Sequence, residues 1–254
     1  MEIIARLANL PGALPGACAQ GLIWGIMAIG VYLTYRILDV ADLTVDGSLA
    51  TGGAVAVILM LRGVNPYLAL LAAMAAGMLA GLVTGLFHTV CGIPAILSGI
   101  LTQLGLYSVN MRILGKSNQA ISVDKFDLIV SLRYIPEAVL TGAIFCVVLI
   151  AVLYWFFGTE VGHSIRATGA NPNMARAQGI NTNTNKVLGL VLSNALVGLA
   201  GGLYAQYQGS ADVNMGRGAI VIGLAAIIMS EVIFGRLFRN FALKLLAVVF
   251  GSIL

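Results

Sequence analysis

The residues able to do chemistry in this chain are few, and they stand out because almost everything around them is apolar. Asp39, Asp42 and Asp46 lie between two apolar runs, with Thr44 and Ser48 close by. Asp46 or Ser48 is suited to cap the N-terminus of the helix that follows, whose positive dipole end favours a carboxylate from the protein or from a ligand. The same carboxylates also suit a water interface that simply ends a span, and both readings stand at this point. In a second group, Gln103, Tyr107 and Asn110 fall at i, i+4 and i+7 on one helical face, with Thr102 beside them. Such a face hydrogen-bonds either a zwitterionic or hydroxylated solute or the neighbouring helices. Glu231 follows a nearly uninterrupted nonpolar run. An ionised carboxylate facing hydrocarbon costs at least a few kcal/mol, so it must meet a partner, a cavity or the interface. It is expected to be a buried structural or gating charge or an interfacial one, with Arg36 and Arg112 as candidate partners.

Covalent chemistry finds little support. Gly115-Lys116-Ser117 looks like the end of a phosphate-binding loop, but Asn110 stands where the leading glycine of G-x-x-x-x-G-K-S belongs, and no strand precedes it. An ATPase site is therefore expected on another chain, and no cofactor on this one. His88 and His163 are remote from any Ser or Cys nucleophile motif, which argues against a hydrolase. Cys18, Cys91 and Cys146 lie in apolar stretches without a C-x-x-C pair, so they read as small buried hydrophobes rather than disulfides or metal ligands.

The elements that position these residues follow from composition. Apolar residues make up 59% of the chain and charged ones 9%, with a mean hydropathy of +0.98, which excludes an ordinary water-soluble domain. The net charge of +4 comes from 14 basic residues with no block of like charge, which suits loops anchored at a lipid surface rather than nucleic acid. At about 20 apolar residues per span, the expectation is an all-α, polytopic transmembrane helical bundle of about eight spans, forming a single domain over 1–254.

The apolar runs fall at about 17–38, 49–61, 66–90, 93–113, 136–157, 187–207, 218–234 and from 241 onward. The second is too short to cross alone, so the acidic segment before it is expected to enter the membrane as part of a broken or re-entrant helix. Gly77, Gly81 and Gly85 in the third run share a face that lets two backbones approach closely. Pro94, Gly99 and Gly105 predict a bent fourth span lining something wet. Lys116 to Arg133 reads as a mixed-charge loop. Trp24 and Trp155 suit packing or an interfacial belt. No cleavable signal is evident at the N-terminus, and the last run is still apolar at Leu254, which predicts more sequence beyond it. Basic residues are divided almost evenly between the two sides, so charge does not fix the orientation.

The longest polar connection, about 158–185, has a decipherable local structure. Asn171 is a favoured N-cap, Pro172 fits the first helical position and Gly179 is a natural left-handed terminator, which predicts a helix over Pro172–Gln178 with Gly169 and Gly179 punctuating its ends. So short a helix is not stable alone and must dock, either on its own bundle or on a cytoplasmic partner. In the second case Arg166 and Arg176 are interface charges, and Met174 and Ala175 supply contact surface.

The order Gly-x-x-x-Arg-Ala-x-Gly-x-Asn-Pro-x-x-Ala-Arg-Ala-x-Gly-Ile-Asn over 162–181 resembles the coupling loop of ABC-importer permeases of the branched-chain amino acid and ribose type. The segments 36–48, 93–102, 106–112 and 223–231 look like the permeases paired with tryptophan- or tyrosine-type binding proteins. The resemblance covers nearly the whole chain. It implies a permease in the bacterial inner membrane, without ATPase activity of its own, that translocates a small polar solute such as an aromatic amino acid. It implies a second permease copy, two cytoplasmic ATP-binding subunits carrying ATP and Mg, and an extracytoplasmic substrate-binding protein, with lipid around the bundle and no nucleic acid. Arg166, Gly169, Asn171, Pro172, Ala175, Arg176 and Gly179 would then serve ATPase coupling. Asp42, Thr44, Asp46, Ser48, Thr102, Gln103, Tyr107 and Asn110 would line the solute pathway. The loop would be cytoplasmic and the N-terminus outside. Two readings of another kind stay open: an ion-coupled secondary transporter using intramembrane carboxylates such as Asp46 or Glu231, and a membrane scaffold or receptor.

Overall fold

The structure is a computed structural model that describes residues 10–121, 128–235, 238 and 240–254. Lys125, Arg236 and Arg239, three of the basic residues of the connections between apolar runs, lie outside the described residues. The chain runs through α1 (Leu10–Tyr32), a π-helical turn (Leu33–Ile37), α2 (Val45–Leu61), α3 (Pro66–Thr89), α4 (Ala95–Leu114), β1 (Asn118–Ala120), α5 (Ile135–Phe157), α6 (Glu160–Ala170), α7 (Pro172–Ala177), α8 (Thr182–Gln208), β2 (Ser210–Asp212), α9 (Ala219–Phe234) and α10 (Phe241–Ile253). All eight apolar runs are helices. Among the described residues four helical segments are long and apolar enough to cross a membrane: Leu14–Ile37, Pro66–Thr89, Ile135–Phe157 and Thr182–Gln208. Three apolar helices, α2, α9 and α10, are shorter.

Burial sorts these helices by position. The apolar windows of α1 and α8 are each 72% buried, whereas that of α5 is 17% buried, so α1 and α8 form the centre and α5 the rim. The exposed side chains of the rim are themselves apolar, among them Leu79, Leu104, Leu140, Val147, Trp155 and Val232. In water such a surface would drive association; in a bilayer it is the solvated face.

Small residues set the spacing inside. A Cβ added at Gly77 or Gly81 of α3 would overlap the carbonyl oxygens of Asn194 or Leu190 on α8, and one at Gly201 of α8 would overlap that of Leu49 on α2. The stripe expected from Gly77, Gly81 and Gly85 therefore faces α8, with the chains in backbone contact. Polar side chains then use α1 carbonyls as acceptors: Ser193 Oγ donates to Gly30 O at 2.7 Å and Ser252 Oγ to Gly21 O at 2.8 Å.

Several expectations need correction. Pro94 stands at the N-cap of α4 rather than within it, and the helix runs unbroken through Gly99 and Gly105. Gly99 instead permits close approach, since a Cβ there would press on the backbone of Leu43 and Thr44. The connection after α5 contains α6, a helix not anticipated because Gly162, Gly169 and its polar residues read as loop. Gly169 lies inside α6 and does not punctuate α7; its missing Cβ makes room for the carbonyl of Ile37 in the π turn. The loop before α5 and the turn after α8 pair as a two-stranded antiparallel ribbon, with Asn118 opposite Asp212 and Ala120 opposite Ser210. Cys91 is exposed in the turn after α3, while Cys146 is buried and Cys18 is intermediate.

The two close-packed and open glycines make opposite expectations. Gly201→Ala is expected to destabilise the detergent-solubilised protein by about 2 kcal/mol or more, because overpacking against a backbone atom cannot relax by rotamer change. Gly105→Ala, where nothing lies within 4 Å, is expected to be neutral or to stabilise by up to about 1 kcal/mol through helix propensity. Thermal melts of the two variants check this.

Candidate functional site

The acidic segment does enter the bundle. Asn194 lies 12 residues beyond the first residue of α8 (194 − 182), about 18 Å along the axis at 1.5 Å per residue, which is near the middle of a core about 30 Å thick. Asn194 Nδ2 donates to Asp42 Oδ2 at 2.7 Å, so the loop 39–44 returns from the π turn to mid-depth before α2 begins. The broken-helix expectation thus describes α2, whose 17 residues start beside this point.

The other half is α9. Asp46, in the first turn of α2, accepts from Gly218 N through Oδ2 and from Ile220 N through Oδ1, both at 3.0 Å. The carboxylate therefore caps α9, across the bundle, and not its own helix as expected. Thr44 is the N-cap of α2 and makes no side-chain cap bond there. The local turn is held instead by Asp42, whose Oδ1 accepts from Thr44 N at 2.9 Å. Ser48 does not cap either; its Oγ donates to Asn194 Oδ1 at 2.6 Å. Two of the shorter apolar helices, α2 and α9, thus start near one another inside the bundle, with a carboxylate between their positive ends.

The expected pathway residues divide into two sets. Asp42, Thr44, Ser48 and Thr102 are each 5% exposed or less and bond to one another through Asn194 and Thr84. Thr102 donates to Ser98 O at 3.0 Å and so accepts from Thr84 at 2.9 Å; Thr84 in turn accepts from Thr44 at 2.7 Å. These groups are satisfied internally and lock the loop, α2, α3, α4 and α8 together. Neither Asn194 nor Thr84 stands out in the sequence, because a lone polar residue in an apolar run does not name its partner.

The second set surrounds a cavity of about 360 Å³ lined by Asp46, Gly47 and Ala50 of α2, Gln103, Leu104, Tyr107 and Asn110 of α4, and Val213 and Arg217 from the turn before α9. Gln103, Tyr107 and Asn110 are brought together as their spacing predicts, with Asp46 facing the same space. Asn110 is 1% exposed and its Oδ1 has no hydrogen-bond partner. Arg217, not singled out by sequence, places its guanidinium 5.9 Å from the Tyr107 ring centroid. Its only sequence signal is an arginine between two glycines at the entry to an apolar run.

Glu231 is not a buried charge. It lies at the far end of α9 on the surface, and its Oε1 is 2.8 Å from Arg36 Nε. Of the two candidate partners the structure selects Arg36, which belongs to the π turn. The pair borders a recess of about 270 Å³ that Tyr32, Ser230, Phe234 and Lys244 also line. The exposed position fits a paired interfacial carboxylate, whose net contribution is small.

At the same end, α7 is built as its residues predict. Asn171 Oδ1 accepts from Asn173 N and Met174 N, both at 3.1 Å. Gly179 has φ +81°, and the bonds Gly179 N to Arg176 O and Ile180 N to Ala175 O close the C-terminus as a Schellman motif. Within α7 only Ala175 is buried, so it anchors the helix and does not form its outer surface; Met174 is 63% exposed. Arg176 Nε donates to Thr182 Oγ1 at 2.8 Å, and Asn185 ties α8 to Ser164 and Thr168 of α6. Arg166 is not presented outward: its guanidinium lies 4.2 Å from the Phe241 ring centroid and 5.2 Å from that of Phe157.

An apolar-faced helical bundle with two helices that begin inside it, beside a cavity carrying Asp46, Gln103, Asn110 and Arg217, defines a multi-pass membrane protein. A family model described as the permease component of a branched-chain amino acid transport system matches residues 14–254, and the chain belongs to that family. The tyrosine transport system permease protein of Clostridioides difficile (strain R20291) is 39% identical over 234 residues, covering 92% of this chain and 77% of that protein. An uncharacterized protein of Rickettsia prowazekii (strain Madrid E) is 34% identical, covering 94% and 84% respectively. The ribose import permease protein of Escherichia coli (strain K12) is 31% identical, covering 80% and 64%.

The buried network yields a graded expectation. Asn194→Ala leaves the Asp42 carboxylate short of a donor in a low-dielectric setting and is expected to cost about 3 kcal/mol. Ser48→Ala leaves the buried Asn194 Oδ1 without its donor but keeps both Nδ2 bonds, to Asp42 and Leu190 O, and is expected to cost less, about 1–2 kcal/mol. Unfolding midpoints of the purified variants in detergent would reveal the ranking, and equal losses would speak against the network as described.

Proposed function

We propose that this chain is the membrane-spanning permease subunit of an ATP-driven importer in the bacterial cytoplasmic membrane, moving an amino acid, with an aromatic one as the first candidate. Two copies enclose the path, an extracytoplasmic binding protein delivers the solute, and two ATP-binding subunits carrying ATP and Mg dock on the cytoplasmic face. The permease has no covalent step of its own. It changes the relative stability of outward- and inward-open states, biased by what binds α7. Asn171, Pro172, Met174, Arg176 and Gly179 form or shape the docking element; Ala175 anchors it, and Gly169 and Arg166 join it to the bundle.

The observation that carries this reading is α7 itself. A six-residue helix capped at both ends, held to the bundle through Ala175 and otherwise exposed, is an element prepared for a partner. The tyrosine transport permease among the relatives supports the solute class. The ion-coupled alternative has less support, because both oxygens of Asp42 and of Asp46 are engaged and Glu231 is paired with Arg36.

Reconstitution of the permease with its ATP-binding and solute-binding partners in vesicles is the test. ATP-dependent uptake of a radiolabelled amino acid is expected, and Met174→Asp is expected to lower it at least tenfold while leaving the permease's melting temperature within a few degrees. Uptake driven by an ion gradient in vesicles holding the permease alone would overturn the reading.

A further inference from the structure

We propose that the cavity between α2, α4 and the turn before α9 binds the zwitterionic head of an α-amino acid, with Arg217 receiving the carboxylate. The inference deepens the reading of the chain as an amino acid importer and rests on it, assigning the discrimination to the permease itself rather than only to a delivering protein.

The cavity holds charges of both signs in one small space. Asp46 lies on one wall, its oxygens engaged by Gly218 N and Ile220 N, and Arg217 on another, with no ion pair among the described residues. Asn110 adds an acceptor that is buried and unpartnered, and buried polar atoms of this kind are rare without a ligand or water to satisfy them. An ammonium group satisfies Asn110 Oδ1 and is attracted to Asp46, while a carboxylate pairs with the guanidinium of Arg217. A solute with a single charge meets a like charge on one wall; a neutral one leaves both walls without a counterion. A zwitterion alone matches both.

Size and lining agree. A volume of about 360 Å³ is at the lower end of the range for small-molecule sites, about 300–1,000 Å³, and admits one small solute. Leu104, Val213 and the ring of Tyr107 give an apolar wall for the side chain of the bound molecule. Helix starts placed beside a cavity within the bundle are an arrangement by which transport proteins meet charged solute groups within the membrane.

The test uses the full chain in lipid nanodiscs and three pairs of probes: L-tyrosine and tyramine, L-tryptophan and tryptamine, and L-leucine and isoamylamine, each amine lacking only the carboxylate. Equilibrium binding is expected to favour at least one amino acid over its amine by about tenfold or more. Arg217→Gln is expected to abolish that preference and Arg217→Lys to retain part of it. Both variants should melt within a few degrees of the parent, since Arg217 is exposed. A parent protein that prefers no amino acid over its amine, or an Arg217→Gln variant that keeps the preference, would overturn the site. ATP-driven amino acid uptake by the complete transporter alongside either result would leave the importer reading intact; its absence would count against that reading instead.

Discussion

The contact on which much of this architecture depends is the carboxylate of Asp46 against the first backbone amides of α9. A helix that begins inside a bilayer exposes N–H groups that water would satisfy elsewhere, and each one left bare in hydrocarbon costs several kcal/mol. Asp46 meets two of them from a neighbouring helix. Because Asp46 also sits in the first turn of α2, one side chain fixes where both of these shorter helices start, and the cavity lies beside those starts.

The second constraint is that the centre of the bundle has almost no side-chain layer in places. α8 is approached by α2 and α3 at glycines whose missing Cβ atoms are replaced by carbonyl oxygens of the neighbour. Lipid gives no hydrophobic incentive for helices to associate, so close van der Waals contact and a few buried polar bonds must provide it. The set formed by Asp42, Ser48, Asn194, Thr44, Thr84 and Thr102 provides the polar part. Asp42, Thr44, Ser48 and Thr102, which the resemblance put on the solute pathway, have hydrogen-bond partners within this network.

What could be read from the sequence was whatever a local rule encodes. The Asn171, Pro172 and Gly179 signals define α7 because capping acts within a few residues, and the helical spacing of Gln103, Tyr107 and Asn110 places them together because it is a property of one helix. That Asp46 caps α9 is not legible because its partners are 172 and 174 positions away, and no local pattern distinguishes an acceptor for its own helix from one for another. For Glu231 the sequence leaves a buried and an interfacial charge both open, since apolar neighbours hide whether a residue is near a helix end that reaches the surface; the pairing with Arg36 at the surface decides for the second. Arg217 has no such signal, because a lone arginine in a turn reads as an anchor until the fold sets it at the edge of a cavity.

The meeting of Gly169 with the carbonyl of Ile37 has a mechanical meaning. Most joints between helices are cushioned by side chains that can change rotamer and absorb a displacement before it reaches the next backbone. Here there is no cushion: the main chain of α6 at Gly169, three residues before Pro172 opens α7, rests directly on the main chain of the π turn. A push delivered at one end of this joint is passed on with little loss. The π turn, with its looser pitch, is the nearest place where the chain can yield.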